Sequence, residues 1–260
     1  DIFAIRLFHF NNIFTGIDDQ FLKSHLQILK NWSDKDQFYN LILGMTSFAY
    51  EENNDYHNAF RLAKLSLDIS KKDLWSWHAL LHIHDSKLDN VIFLQNEYEK
   101  INWNSYGPMK RHMWWHQSLF YFYQKNYTKC LELYDNCIFS EDEFYLDFCN
   151  AISLLLRLNY QGIDIKKRID KLKPLANYFK NQNLLPFIDY HLILFYKYLD
   201  DQEYFNEFNS SIKFRYEKSY LKKIFKENLL PLTESIVSKK KINEELIKSN
   251  FIKVGGSFAQ

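Results

Sequence analysis

Apolar residues recur every three or four positions along almost the whole chain, and few residues interrupt the pattern. Phe60, Ala63 and Leu67 show the spacing, which places three side chains on one face of an α-helix. Glycine occurs 6 times and proline 4 times in 260 residues. A strand-rich sandwich or barrel of this length needs more turn-forming residues than that. The pattern therefore predicts an all-α fold.

Short polar breaks divide the pattern into about fourteen helices arranged in antiparallel pairs. Pro108, Pro186 and Pro231 fall where a helix would begin, and a missing N–H costs little there. Pro174 is expected to kink or split its helix. The predicted spans are 2–15, 18–31, 36–52, 55–70, 73–86, 89–102, 108–125, 127–139, 144–158, 165–181, 186–199, 201–215, 219–238 and 241–254.

One polar turn recurs in the sequence. Asn54-Asp55-Tyr56-His57-Asn58-Ala59 and Lys125-Asn126-Tyr127-Thr128-Lys129-Cys130 both have two polar residues, a tyrosine, two further residues and a small residue. Ala59 and Cys130 are 71 positions apart, or two units of about 35, and a tetratricopeptide repeat (TPR) has about 34 residues. We expect a single TPR-like helical-hairpin solenoid over 1–260, a right-handed superhelix of antiparallel helix pairs. Its clearest repeats are at about 36–70 and 108–139, and its C-terminal helices, 219–254, are less regular.

Charge and motif content exclude several functional classes. Lys and Arg number 33 against 32 Asp and Glu, a net charge of +1, which argues against a nucleic-acid partner. No stretch reaches about 18 consecutive apolar residues, so no membrane span is expected. The three cysteines form no CxxC pair and favour a reducing compartment, so we expect a cytoplasmic protein. The phosphate-loop, zincin and hydrolase-elbow motifs are absent, so an enzyme is expected less than a binding protein.

The 9 histidines include two pairs with helical spacing. His78 and His82 are four residues apart, and so are His112 and His116, so each pair lies on one side of its helix. Asp85 is seven residues after His78, which places it on the same side of the helix. Two such helices side by side would present four imidazoles and a carboxylate. That set suits zinc or another divalent metal, or acid–base chemistry near neutral pH.

Most of the histidines fall on the first helices of the predicted hairpins, and these helices line the concave face of a TPR superhelix. We therefore expect a histidine-lined groove that binds a peptide or a small ligand. Two alternatives stay open: a metal-binding or acid–base enzyme that uses the two histidine pairs in the same groove, and a scaffold with structural histidines. None of the three identifies a particular cofactor. The expected groove residues are His9, His78, His82, Asp85, His112, Trp115, His116, Asp189 and His191.

Several runs together are more specific than a generic repeat. They are Leu7-Phe8-His9, Asp73-Leu74-Trp75-Ser76-Trp77-His78 leading into His82-Ile83-His84-Asp85, His112-Met113-Trp114-Trp115-His116, Leu133-Tyr134-Asp135, Phe187-Ile188-Asp189-Tyr190-His191 and Gly255-Gly256-Ser257-Phe258-Ala259-Gln260. In order and spacing they resemble the tetratricopeptide repeat protein 38 family over essentially the whole chain. The resemblance implies an all-α TPR solenoid and brings no established activity. Members of that family are longer at both ends, so this chain is expected to be a fragment.

Overall fold

The computed structural model describes residues 1–16, 20–86, 92–180, 182, 185–238 and 244–255. Within these ranges every regular element is a helix and none is a strand, which confirms the all-α prediction. The α-helices are α1 (Ile2–Thr15), α2 (Phe21–Leu29), α3 (Tyr39–Glu51), α4 (Tyr56–Ile69), α5 (Leu74–Ser86), α6 (Ile92–Tyr98), α7 (Lys110–Tyr123), α8 (Tyr127–Leu133), α9 (Tyr145–Tyr160), α10 (Lys166–Phe179), α11 (Pro186–Tyr198), α12 (Gln202–Tyr216), α13 (Lys222–Ile224), α14 (Leu230–Ser238) and α15 (Glu244–Lys253). Short 3₁₀ segments lie at Trp103–Ser105 and Gly107–Met109, and π-helical turns at Tyr134–Ile138 and Phe225–Leu229.

Two details of the helix prediction differ from the structure. Of the two outcomes expected at Pro174, a split does not occur, because α10 runs through this residue with Leu172 and Leu175 buried on either side of it. Phe60 is 41% exposed, so the buried face of α4 is formed by other residues of the helix, among them Ala63 and Leu67. At the C-terminus Gly255 has a positive φ of 100°, while 256–260 of the last sequence run lie outside the described residues.

The repeated turn has one backbone conformation. Within the described residues it occurs at Asn54-Asp55, Lys125-Asn126 and Asp200-Asp201. The first residue of each has a φ between 56° and 61°. The N–H of the second residue bonds to the carbonyl five residues earlier, at 3.0, 2.8 and 3.2 Å respectively, which closes the preceding helix. Its side chain accepts a hydrogen bond from the N–H three residues later and caps the next helix. One short motif thus ends one helix and starts the next.

The described residues form two compact units. The first comprises residues 1–13 and 20–120, and the second comprises residues 14–16 and 121–255. In the first unit α3 packs against α2, α4 and α5. Every residue of α3 from Ile42 to Ala49 is buried, so this helix has no solvent face along its centre. Burial continues to its C-terminal end, where Glu51 and Glu52 lie.

The start of α5 is fixed against α3. The Asp73 carboxylate accepts hydrogen bonds from the Ser76 N–H at 3.0 Å and from the Ser66 hydroxyl at 3.1 Å. A Cβ at Gly44 of α3 would collide with this carboxylate, so only glycine permits the approach. These contacts set the position of the helix that carries the first histidine pair.

In the second unit α9 is the most buried helix. Its residues from Leu146 to Leu155 are all buried, and α10 and α11 pack against it. In the described residues, no helix combines the length and the apolar character that crossing a membrane requires.

Candidate metal centre

The two histidine pairs meet between α5 and α7. The Nε2 of His78 lies 3.0 Å from that of His82 and 2.9 Å from that of His112. The Nε2 of His116 lies 3.1 Å from that of His112. One ring nitrogen from each of the four lies within 4.8 Å of the others. The sequence spacing predicted that each pair lies on one side of its helix, and the meeting of the two pairs is what the metal-binding or acid–base alternative requires. We call these residues the four-histidine cluster.

Aromatic side chains enclose the cluster. The four imidazoles belong to residues that are only 0 to 4% exposed. Phe48 stacks on the His78 ring at 4.9 Å between centroids, and Trp115 stacks on the His112 ring at 5.5 Å. The predicted site residue Trp115 therefore orients a ring of the cluster. Rings held in this way cannot swing out to solvent without breaking the core.

Carboxylates hold the outer two rings of the cluster. The Nδ1 of His82 lies 3.0 Å from a Glu51 oxygen, and the Nδ1 of His116 lies 3.0 Å from an Asp85 oxygen. Because an ionised carboxylate only accepts, each Nδ1 carries the hydrogen and each Nε2 faces the centre. A carboxylate behind a histidine is the usual support of a metal ligand. Asp85 was expected on the same side as His78, as a member of the ligand set, and it instead contacts the outer nitrogen of His116 on the neighbouring helix.

Hydrogen bonds do not account for every close contact at the centre. Each imidazole nitrogen offers one N–H or one in-plane lone pair, so it suits one good hydrogen bond. The Nε2 atoms of His78 and His112 each lie near two others. At most two of the three close contacts can be hydrogen bonds, and two nitrogens are left facing each other. A cation at the centre would instead use all four lone pairs.

The charges around the cluster favour a cation. Burial lowers the pKa of the His82 imidazole, but the carboxylates of Glu51 and Glu52 outweigh this effect and raise it to about 10. Burial and the neighbouring His82 and His112 hold the pKa of His78 well below its usual value. Without a metal, one positive charge therefore resides on His82. A metal ion would replace that proton.

Three contacts in the cluster are slightly shorter than those of a tetrahedral zinc site. Zinc binds imidazole nitrogens at about 2.0–2.1 Å, which puts the nitrogens of a tetrahedron about 3.3 Å apart. Three contacts between Nε2 atoms here are 2.9 to 3.1 Å, and one ring nitrogen of each histidine lies within 4.8 Å of the other three. Shifts of the rings would therefore be needed to place all four nitrogens around one ion. Imidazole ligands suit zinc, copper, nickel and iron.

The other predicted site residues lie elsewhere. The His9 Nδ1 is 3.0 Å from the His25 Nε2, in a fully buried pair of the first unit. In the second unit, Asp189 accepts a 2.6 Å hydrogen bond from the Tyr216 hydroxyl. Burial raises the pKa of Asp189 to about 6, although the Tyr216 bond opposes the shift. The His191 Nδ1–H donates to the Phe187 carbonyl at 2.8 Å, and burial lowers the pKa of this histidine to about 4.

All nine expected groove residues are buried or nearly so, including Asp85, whose side chain is 0% exposed. A groove that recognises a peptide or a small ligand needs side chains that the ligand can reach. The groove stays a prediction, and the geometry of the described residues favours the alternative that uses the two histidine pairs.

Sequence reasoning missed Glu51, Glu52 and His25. The two glutamates precede the polar break at Asn53, so they resemble an exposed helix end. The available signal was the helix itself: residues 41–50 are apolar or small on every face, apart from Thr46 and Ser47. Such a helix is buried all round, and charged residues at its end are buried with it.

No protein-family model matches the chain, and no solved structure matches it significantly. The class of protein is therefore defined by its own features, an all-α chain with a buried four-histidine cluster.

Proposed function

We propose that the protein binds one divalent transition-metal ion at the four-histidine cluster. The observation that carries the proposal is the meeting of four buried Nε2 atoms, which lie in a row of contacts of 2.9 to 3.1 Å. Two of their rings have carboxylate support on the opposite nitrogen. Zinc fits this set best, because four protein ligands in a buried tetrahedron are typical of structural zinc sites.

The ion would join α5 to α7 and so stabilise the helical scaffold of the first unit. We propose that both units are built from TPR-like helical hairpins of the tetratricopeptide repeat protein 38 type. The support is the repeated turn at Asn54-Asp55 and Lys125-Asn126, together with the complete burial of the small residues Ala59 and Cys130. Cytoplasmic localisation stays part of the proposal, and it agrees with three free cysteines.

The test is the metal content of protein purified without a metal-binding tag, measured by native mass spectrometry and elemental analysis. We expect at least one tightly bound divalent ion per chain in the wild type and none at this cluster in His112→Ala/His116→Ala. The matched control is His9→Ala/His25→Ala, which removes another buried histidine pair of the same unit and should keep the ion. A metal-free wild type that takes up no zinc, nickel or copper would overturn the proposal.

A further inference from the structure

Two buried acidic side chains lie beside the four-histidine cluster. Glu51 and Glu52 end α3, and their side chains are 0% and 1% exposed. Both face the outer nitrogen of His82, with a Glu51 oxygen 3.0 Å and a Glu52 oxygen 3.6 Å from Nδ1. One ring nitrogen therefore has two carboxylates in front of it.

Support for a metal-binding histidine needs only one carboxylate. At His116 the single carboxylate of Asp85 has that role. At His82, Glu51 is sufficient and Glu52 is in excess. Burying a second ionised carboxylate costs several kcal/mol unless a charge or hydrogen bonds compensate it. The two ends of the cluster are thus unequal, and the extra group is acidic.

Most carboxylate oxygens of Glu51 and Glu52 make no hydrogen bond in the described residues. Among the described residues, Oε1 of Glu51 and both carboxylate oxygens of Glu52 make no hydrogen bond. Their ion-pair partner in the described part of the chain is His82. Buried oxygens without hydrogen-bond partners are rare in folded proteins, and a bound ion can satisfy them in place of a hydrogen bond.

We propose that Glu51, Glu52 and the Nδ1 of His82 form a second site for a divalent transition-metal ion, with the His82 ring bridging it to the ion in the four-histidine cluster. The inference rests on the proposed function, because His82 is shared. One oxygen of each glutamate and the ring nitrogen lie within 4.8 Å of one another, as ligands of one ion must. Carboxylate and imidazole together suit zinc, copper or manganese.

The charges and protons balance. The Nδ1 of His82 faces carboxylate oxygens and therefore carries a hydrogen when no cation is bound. The second ion displaces that proton, together with any proton on the Glu52 carboxyl, and the released protons pass to solvent. The four positive charges of two ions are then matched by Glu51, Glu52, Asp85 and the His82 imidazolate.

The two sites would differ in openness. Four histidines complete a tetrahedron, which is the arrangement of structural ions. The second ion would have three protein ligands, the number that leaves one position for water or a small ligand. An external ligand would therefore bind at the second ion rather than the first.

The experiment compares wild type with Glu52→Gln, an isosteric change that removes one ligand charge. Metal-free protein is titrated with zinc alone and counted by native mass spectrometry. We expect two ions per chain in the wild type and one in Glu52→Gln. The matched control is Asp189→Asn, which makes the same kind of change at a buried carboxylate of the second unit and should keep two ions.

One ion per chain in both wild type and Glu52→Gln would overturn this inference and leave the four-histidine site standing. A wild type that binds none would overturn both. Copper loading gives a second test that needs no variant. Two Cu²⁺ ions bridged by an imidazolate couple magnetically. The intensity of the electron paramagnetic resonance signal per chain should therefore fall well below the intensity that two isolated Cu²⁺ ions give. An uncoupled signal of two ions would overturn the bridge.

Discussion

Two groups of buried histidines lie in the first unit, and they differ in what surrounds them. His9 and His25 form a pair with no carboxylate partner, and burial lowers the pKa of His25 to about 4. The four-histidine cluster has Glu51 and Asp85 behind its outer rings. Phe48 and Trp75 contact rings of both groups and lie between them.

The comparison separates burial from ligand binding. His9 and His25 share one hydrogen bond, and in the described residues their other ring nitrogens have no hydrogen bond and no carboxylate beside them. The cluster brings four imidazole nitrogens together beside buried carboxylates, and a cation would interact favourably with both kinds of group. Burial of histidine alone is therefore no sign of a metal, whereas histidine backed by buried carboxylate is.

The largest expected difference between the two groups is in metal-dependent stability. Zinc at 100-fold above its dissociation constant should stabilise the wild type by about 2.7 kcal/mol. In a protein of this size that raises the melting temperature by roughly 5–10 °C. Thermal melts with zinc and with a chelator measure the difference. His9→Ala/His25→Ala should melt lower but keep the zinc response, and His112→Ala/His116→Ala should lose it. Equal zinc responses in the two variants would contradict the conclusion that the four-histidine cluster, and not the pair of His9 and His25, binds the metal.

The next effect concerns the carboxylate behind His116. Asp85→Asn keeps the shape of the side chain but removes its charge, so the Nε2 of His116 becomes a weaker ligand. Loss of such a supporting group lowers metal affinity about 10–100-fold. Competition with a chromophoric chelator measures that affinity. Asp68→Asn, an exposed acidic position, is the control and should leave it unchanged. An unaltered affinity in Asp85→Asn would show that the carboxylate does not support a ligand.

The helices and the two histidine pairs could be predicted because both depend on local spacing. Repeats of three and four fix a helix, and a separation of four residues puts His78 and His82 on one side whatever the helix packs against. The role of Glu51 and Glu52 could not be predicted this way. A charged residue beside a polar break is normally solvated, and its burial here depends on the central position of α3 among its neighbours.

The grouping of His9 with the cluster shows the same limit. Its expected position on a first helix predicted a shared groove, but its contacts depend on how α1 and α2 meet. Trp75 fills the space beside His9, at 4.2 Å between ring centroids, and the ring hydrogen-bonds to His25 instead. Which histidines share a centre is decided by tertiary packing, which sequence spacing does not contain.

The smallest expected effect tests the neutral pair itself. His9→Leu or His25→Leu leaves the other imidazole buried without its partner, whereas the double variant removes both polar groups. A double-mutant cycle from denaturant unfolding of metal-free protein should therefore show a coupling of about 1 kcal/mol.

The free energy of unfolding should also depend on pH through this pair. Burial holds the pKa of both histidines below the unfolded value of 6.5, His25 at about 4. The unfolded chain thus takes up protons first, and stability falls as pH falls from 6.5 towards 4. The double variant should lose part of this slope. An unchanged slope would mean that the pair is already protonated in the folded state, and would remove the contrast with the cluster.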